Sequence, residues 1–456
     1  MRGVIRLAGR AVVLAACLAA LGPSAVPMLD GGRFGAVREF QPRGALRGVV
    51  LMFSDRAGWN AADGVAAGKM TRDGALVIGI DTPGYIRQLD ASQGACQVLI
   101  GDAEAMSRSA QRLRNTGPYM FPILAGIGDG GAVAAAILSQ ARVNTVAGAV
   151  SVDPALNVPT RKPPCSDTDG MSVAADAAEQ SPAGAQGFWS VGLRPDAAPG
   201  MWDRLARWAA AGSPVEAQRL GANTDEAGAL GPLVAPHLGA PASASGGDIA
   251  SLPIIPMPAD NPTEIMAVVM SGDGGWRDID KQVTDNLRSR GVSVVGWDSL
   301  QYFWHEKTPD EVARDLADVL RTYSTLWHSK RIALIGYSFG ADVLPFAYNR
   351  LPPDVQAKVT MMTLLALSNS ADFEIQVTGW LGAAPSSAAL PTGAETQRIP
   401  GRLIQCVYGK DEEDTACPGL AAQGAEVVST QGGHHFDSNY VAVASRIING
   451  LTRRGS

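Results

Sequence analysis

Gly336-Tyr337-Ser338-Phe339-Gly340 follows the apolar run Ile332–Ile335 and precedes a stretch with helical patterning. A G-x-S-x-G pattern in that setting places the serine on a sharp strand-to-helix turn, with helix N–H dipoles near any charge that develops there. Glycines flank the serine because a Cβ at either position would crowd the adjoining strand and helix. A serine hydroxyl is a weak nucleophile without a general base. The chain has five histidines: His237, His305, His328, His434 and His435. The last two stand in Gly432-Gly433-His434-His435-Phe436, after the last expected strand. A Gly-His-x-Phe spacing selects His434 as the base, with His435 as the alternative. A carboxylate must then orient the imidazole and stabilise its cation. The loop Gly409–Pro418 holds Asp411, Glu412, Glu413 and Asp414. An Asp with Pro four residues later selects Asp414, with Asp411 as second choice. Together these residues could transfer an acyl group to serine and then to water.

Such chemistry needs donors for an oxyanion. The Phe339 N–H is one. The loop Ser271-Gly272-Asp273-Gly274-Gly275-Trp276, after an earlier apolar run, offers Asp273 or Gly274 as the second, through its backbone. A glycine-rich loop can also bind phosphate, but no Walker lysine follows this one. The order serine, acid, histidine is that of α/β hydrolases. The positioning elements alternate. Strands are expected at 265–271, 292–297, 331–335, 359–367, 402–408 and 425–429, and helices at 279–290, 309–326, 341–349 and 438–451. Apolar strands between amphipathic helices imply a mostly parallel sheet covered on both faces.

The first half repeats this plan in degenerate form. Gly48–Trp59 pairs with Ala267–Trp276, Ala75–Tyr85 with Val292–Tyr302, and Phe121–Ala135 with Arg331–Pro345. Its counterpart of the serine turn is Gly126-Ile127-Gly128-Asp129-Gly130, with glycine in place of serine, and no histidine precedes His237. The expected fold is therefore two tandem α/β-hydrolase-like domains, the first without catalytic function. The expected boundaries are a signal peptide over 1–25, a degenerate domain over 36–231, a linker over 232–252 and a catalytic domain over 253–456. The linker assignment rests on the Ala/Ser/Gly/Pro-rich composition of that segment.

At 456 residues, 46% hydrophobic and 18% charged, the composition is globular. The net charge of −6 argues against a nucleic-acid partner. Arg2, Arg6 and Arg10 precede the apolar Ala11–Leu21 and the small residues Pro23-Ser24-Ala25, as in an export signal. That run is about half the ~20 residues of a membrane span. Export to the periplasm is expected, with lipoprotein processing at Cys17 as the alternative. The remaining Cys96, Cys165, Cys406 and Cys417 suit two disulfides in an oxidising compartment, Cys96–Cys165 and Cys406–Cys417. No CxxC or Cys/His cluster implies a metal, and no cofactor is expected.

With these residues in place, the sequence resembles the bacterial virulence protein family VirJ/AcvB. The resemblance lies in Ser271–Trp276, Gly336–Asp342, Phe373–Gly382, the Tyr408–Pro418 loop and Gly432–Tyr440. It implies a periplasmic hydrolase of aminoacylated phosphatidylglycerol, chiefly the lysyl ester, linked to virulence and type IV secretion. Asp273, Asp298 and Asp437 are candidates to meet the lysyl ammonium groups, and Tyr337 and Trp276 are candidate substrate contacts. Tyr302-Phe303-Trp304 could face lipid, or serve as core or lid. The rival readings are a non-enzymatic periplasmic adaptor of a secretion system and a general carboxylesterase or lipase.

Overall fold

A computed structural model describes residues 29–142, 144–165, 187–239, 249–377 and 385–454. The expected signal peptide, Cys17 and residues 378–382 of the VirJ-like stretch lie outside the described residues.

Two seven-stranded sheets share one topology. The first contains β1 (Arg38–Phe40), β2 (Gly48–Phe53), β3 (Ala75–Ile80), β4 (Ile123–Ile127), β5 (Gly148–Val152), β6 (Phe188–Leu193) and β7 (Val215–Arg219), in the order β1-β3-β2-β4-β5-β6-β7. The second contains β8 (Ile254–Met257), β9 (Ile265–Met270), β10 (Ser293–Trp297), β11 (Arg331–Tyr337) and β12 (Val359–Leu365). After a short ribbon of β13 (Ser370–Ala371) and β14 (Leu390–Pro391), it is completed by β15 (Ile404–Gly409) and β16 (Glu426–Thr430). Read from its first strand, its order is β8-β10-β9-β11-β12-β15-β16. In each sheet the first edge strand is antiparallel and all other pairings are parallel. The inner strands β2 and β3 are buried at every residue, as a sheet covered on both faces requires. Each sheet accordingly has an apolar cluster on either side.

The repetition extends to single hydrogen bonds. The Ser54 N–H donates to Ile80 C=O at 3.1 Å, and the Ser271 N–H to Trp297 C=O at 3.1 Å. Ser54 Oγ accepts from the Thr82 N–H at 3.1 Å, and Ser271 Oγ from the Ser299 N–H at 3.0 Å. Trp59 fills the space over Gly79 as Trp276 does over Gly296. These coincidences go beyond what unrelated β-loop-α units would share.

Two sequence expectations change, and of the alternatives left open for Tyr302–Trp304 the core reading holds. The edge strands β1 and β8 were not anticipated. The segment expected to begin a linker at Pro232 instead continues the helix Glu226–Val234, whose Leu233 and Val234 are buried against the first sheet. Pro232 lies inside this helix and supplies no N–H to its hydrogen-bond ladder. Tyr302, Phe303 and Trp304 are all buried, so they are core residues and not a lipid-facing surface.

Trp304 also joins the two halves. Tyr119 packs on it at 4.9 Å, and the Arg112 guanidinium lies 4.2 Å from its ring centroid. Arg112 pairs with Glu374 at 2.5 Å and donates to Ile375 C=O at 2.7 Å. His305 Nε2–H donates to Gly117 C=O at 2.8 Å, and Arg142 lies 3.4 Å from Asp278.

Candidate active site

Ser338 stands between β11 and the helix Phe339–Tyr348 with φ 52° and ψ −121°. This is a strained backbone for a residue with a Cβ, and such strain is held only where the surroundings over-determine it. The flanking glycines permit the turn. A Cβ on Gly336 would lie 2.4 Å from Gly340 C=O, and one on Gly340 would lie 2.4 Å from Met270 C=O. Two further bonds secure the elbow. The Ser338 N–H donates to Leu365 C=O at 2.9 Å, and Asp342 on the following helix accepts from the Ser368 N–H at 2.7 Å. Burial pushes the Asp342 carboxyl well above the usual range.

His434 meets Ser338 through Nε2, 2.8 Å from Oγ. Its Nδ1 lies 2.5 Å from Oε1 of Glu412. A carboxylate only accepts, so Nδ1 carries the proton and Nε2 is left to accept from the serine hydroxyl. The expected acid is thereby corrected. Asp414 is exposed and bonds the Asn369 side chain, and Asp411 is exposed. Glu412, with a side chain only 6% exposed, occupies the place proposed for them. The alternative base is also displaced. His435 shares a 2.7 Å hydrogen bond with the Tyr337 hydroxyl, while His434 alone of the two bonds Ser338.

Backbone closeness makes this arrangement possible. A Cβ on Gly409 would lie 2.2 Å from Gly433 C=O, so glycine lets the acid loop rest directly on the histidine loop. The Asp411 N–H donates to Gly432 C=O at 3.0 Å, and the Glu412 N–H turns back to Gly409 C=O at 3.0 Å. Cys406–Cys417 closes the acid loop from below, and Cys96–Cys165 forms in the first half, as expected.

Gly272 faces the serine, since a Cβ added to it would lie 3.4 Å from Ser338 Cβ. The loop is a tight turn in which the Gly275 N–H donates to Gly272 C=O at 3.1 Å. Asp273 and Gly274 lie between them. Phe339 opens its helix, so its N–H has no partner within that helix.

The remaining candidates lie elsewhere. Asp298 is 3% exposed and accepts from the Gln301 N–H at 3.1 Å and from the Trp276 backbone. It is a buried cap whose pKa is raised by burial, not an ammonium anchor. Trp276 belongs to the core beneath Gly296, and Tyr337 is buried with its hydroxyl on His435. Asp437 is exposed in the histidine loop. Among the described residues no group of three or more His, Cys, Asp or Glu is placed to hold a metal. No described helix is long and apolar enough to cross a membrane.

The first half preserves the elbow without its chemistry. Gly128 has φ 52° and ψ −115°, and its N–H donates to Val152 C=O at 3.0 Å. The Asp55 carboxylate takes the serine's space, because a Cβ on Gly128 would lie 2.0 Å from its Oδ1. That oxygen accepts from the Asp129 N–H at 3.0 Å, the counterpart of the Phe339 N–H.

Strand order and elbow geometry define the second half as an α/β-hydrolase domain. Residues 264–455 match the family model of the bacterial virulence protein (VirJ). No curated protein matches the chain. Among solved structures, the chain is similar to Est1E from Butyrivibrio proteoclasticus with bound ferulic acid, at 14% identity and a TM-score of 0.33, over 45% of this chain and 97% of that one. It is also similar to XC6422 from Xanthomonas campestris, an α/β serine hydrolase without a lid, at 16% identity and a TM-score of 0.31, over 44% and 88%.

Proposed function

We propose that the second half is a periplasmic serine ester hydrolase that cleaves the aminoacyl ester of lysyl-phosphatidylglycerol. The observation that carries the reading is the continuous chain Ser338 Oγ–His434–Glu412 at 2.8 and 2.5 Å on a strained elbow. Ser338 Oγ attacks the aminoacyl carbonyl while His434 Nε2 takes its proton, and Glu412 stabilises the imidazolium. The Phe339 and Asp273 N–H groups hold the oxyanion; Asp273 is preferred because it directly follows Gly272, which faces the serine. His434 returns the proton to the departing glycerol oxygen, releasing phosphatidylglycerol. Water, deprotonated by His434, then cleaves the lysyl-serine ester and frees lysine. The exposed Asp411, Glu413 and Asp414 place negative charge beside the site, which suits a substrate with two ammonium groups. The two disulfides accord with an oxidising compartment.

The test is release of lysine from lysyl-phosphatidylglycerol vesicles by the wild type and by Ser338→Ala. Serine-dependent release supports enzyme and substrate together. Cleavage of a neutral nitrophenyl ester without lysine release would retain the hydrolase and remove the lipid. Silence on both would favour a binding role for the chain, such as an adaptor of a type IV secretion system.

A further inference from the structure

The first half contributes a charged side chain that reaches the loop beside Ser338. Glu104, on the helix Ile100–Arg114, is 5% exposed. One of its oxygens, Oε1, bonds Arg277 Nη2 and lies 3.8 Å from Arg108, one helical turn along. Arg277 belongs to the second half and directly follows Trp276. Its Nε–H donates to Gly274 C=O at 2.8 Å. Gly274 lies in the turn closed by the bond from the Gly275 N–H to Gly272 C=O, and Gly272 faces Ser338.

The internal repeat shows what Arg277 forgoes. Its counterpart, Asn60, caps the helix Ala61–Arg72 by accepting from the Ala62 N–H at 2.7 Å. A guanidinium has no acceptor and cannot cap, and the Arg277 side chain takes no N–H of the helix Asp278–Arg288. That position spends its side chain on the Gly274 carbonyl and on Glu104 instead.

We propose that Glu104 is a positioning residue for the site in the other half, anchoring Arg277 so that the Gly274 carbonyl, and with it the backbone donors of the Ser271–Trp276 loop, stay fixed beside Ser338. This gives the non-catalytic half a part in the reaction without contact to the substrate, and it rests on the hydrolase reading above. A part-buried charge-assisted bond between halves suits the task, because a rigid donor array stabilises developing charge without reorganising during the reaction.

The experiment uses the full chain and 4-nitrophenyl butyrate, a neutral ester that has no ammonium to recognise. Glu104→Gln, Arg277→Gln and the double variant are compared with the wild type, with Ser338→Ala as a control. His305→Ala cuts a different contact between the halves. Glu104→Gln is expected to lower kcat roughly ten-fold, a part of the ~100- to 1,000-fold lost when one oxyanion donor is deleted. KM should stay within about two-fold, because ground-state binding is untouched. The double variant should be no slower than the slower single one, since both cut one relay. His305→Ala should retain wild-type kcat. Thermal unfolding checks that each variant is folded, and Arg277→Gln carries the test if Glu104→Gln is not. Serine-dependent wild-type activity with unchanged kcat in both single variants would overturn the positioning role alone. So would multiplicative losses in the double variant, or an equal loss in His305→Ala. Activity that survives Ser338→Ala would overturn the hydrolase reading, and this role with it.

Discussion

Replacing Glu412 by Gln gives the sharpest test of the site, because sequence spacing favours Asp414 and geometry favours Glu412. Glu412 Oε1 is 2.5 Å from His434 Nδ1, and Oε2 is buried without a hydrogen-bond partner among the described residues. An amide can keep the volume yet offers N–H groups as well as one carbonyl. If it turns an N–H toward Nδ1, the ring must carry its proton on Nε2, aimed at Ser338 Oγ, and the base is lost. The comparable acid-to-amide change in a serine-histidine-aspartate site lowers kcat about 10⁴-fold, or about 5 kcal/mol in the barrier. Glu412→Gln is therefore expected to lose ~10³- to 10⁴-fold in kcat on a nitrophenyl ester, and Asp414→Asn only a few-fold, because Asp414 bonds Asn369 and not the imidazole. Slowed fluorophosphonate labelling of Ser338 in Glu412→Gln would locate the loss at nucleophile activation. A deep loss in Asp414→Asn beside near-normal Glu412→Gln would refute the assignment and return the role to Asp414.

Three further outcomes can be measured. Removing the Cys406–Cys417 bridge as a double Cys→Ser variant should cost about 3 kcal/mol, given its 11-residue separation; denaturant unfolding gives this value, and kcat should fall too because the bridge closes the Glu412 loop. Asp280 is buried, and desolvation raises its pKa from 3.8 to about 7. Between those values the folded state holds a proton that the unfolded chain has released, so Asp280 makes stability fall as pH rises, by at most about 1.4 kcal/mol per pH unit. Asp280→Asn should shrink the Tm decline between pH 5 and 7, and an unchanged decline would reject this cause. Gly128→Ala should destabilise by about 1–3 kcal/mol, because its Cβ meets Asp55 at a positive φ. Asp55→Gly should recover part of that loss in a chemical melt, and no recovery would show that Asp55 is not the obstacle.

Much of the site was legible because some constraints are local. The glycines at 336 and 340 announce the elbow, since the backbone contacts that exclude their Cβ atoms come from the turn and from the adjacent β9. The duplication was legible for the same reason: the same glycines and tryptophans recur at matched positions. The acid was not legible, because four carboxylates crowd one short loop and their distances to His434 depend on how two loops pack. The available signal was Gly409, whose missing Cβ allows that packing and brings Glu412 inward. Asp298 misled because a polar residue at a strand end reads equally as a ligand or as a helix cap, and only its 3% exposure separates the two. The short edge strands β1 and β8 escaped because a few residues carry no clear period. The Pro232 region escaped because its composition masks a helix held by Leu233 and Val234.

The Asp55 carboxylate in the first half bears on how that half can change over time. A serine restored at position 128 alone would meet Asp55 before it met any substrate, and the N–H of Asp129 is already engaged by the same oxygen. The half also lacks a base, since His237 is stacked on Phe188 at 3.4 Å and bonded to Ser190. Regaining chemistry would take at least three coordinated substitutions, each of no use without the others. Single-step reversion is thus closed, and selection can reshape this half's surface for contact with its neighbour without reawakening a second hydrolytic centre in the same chain.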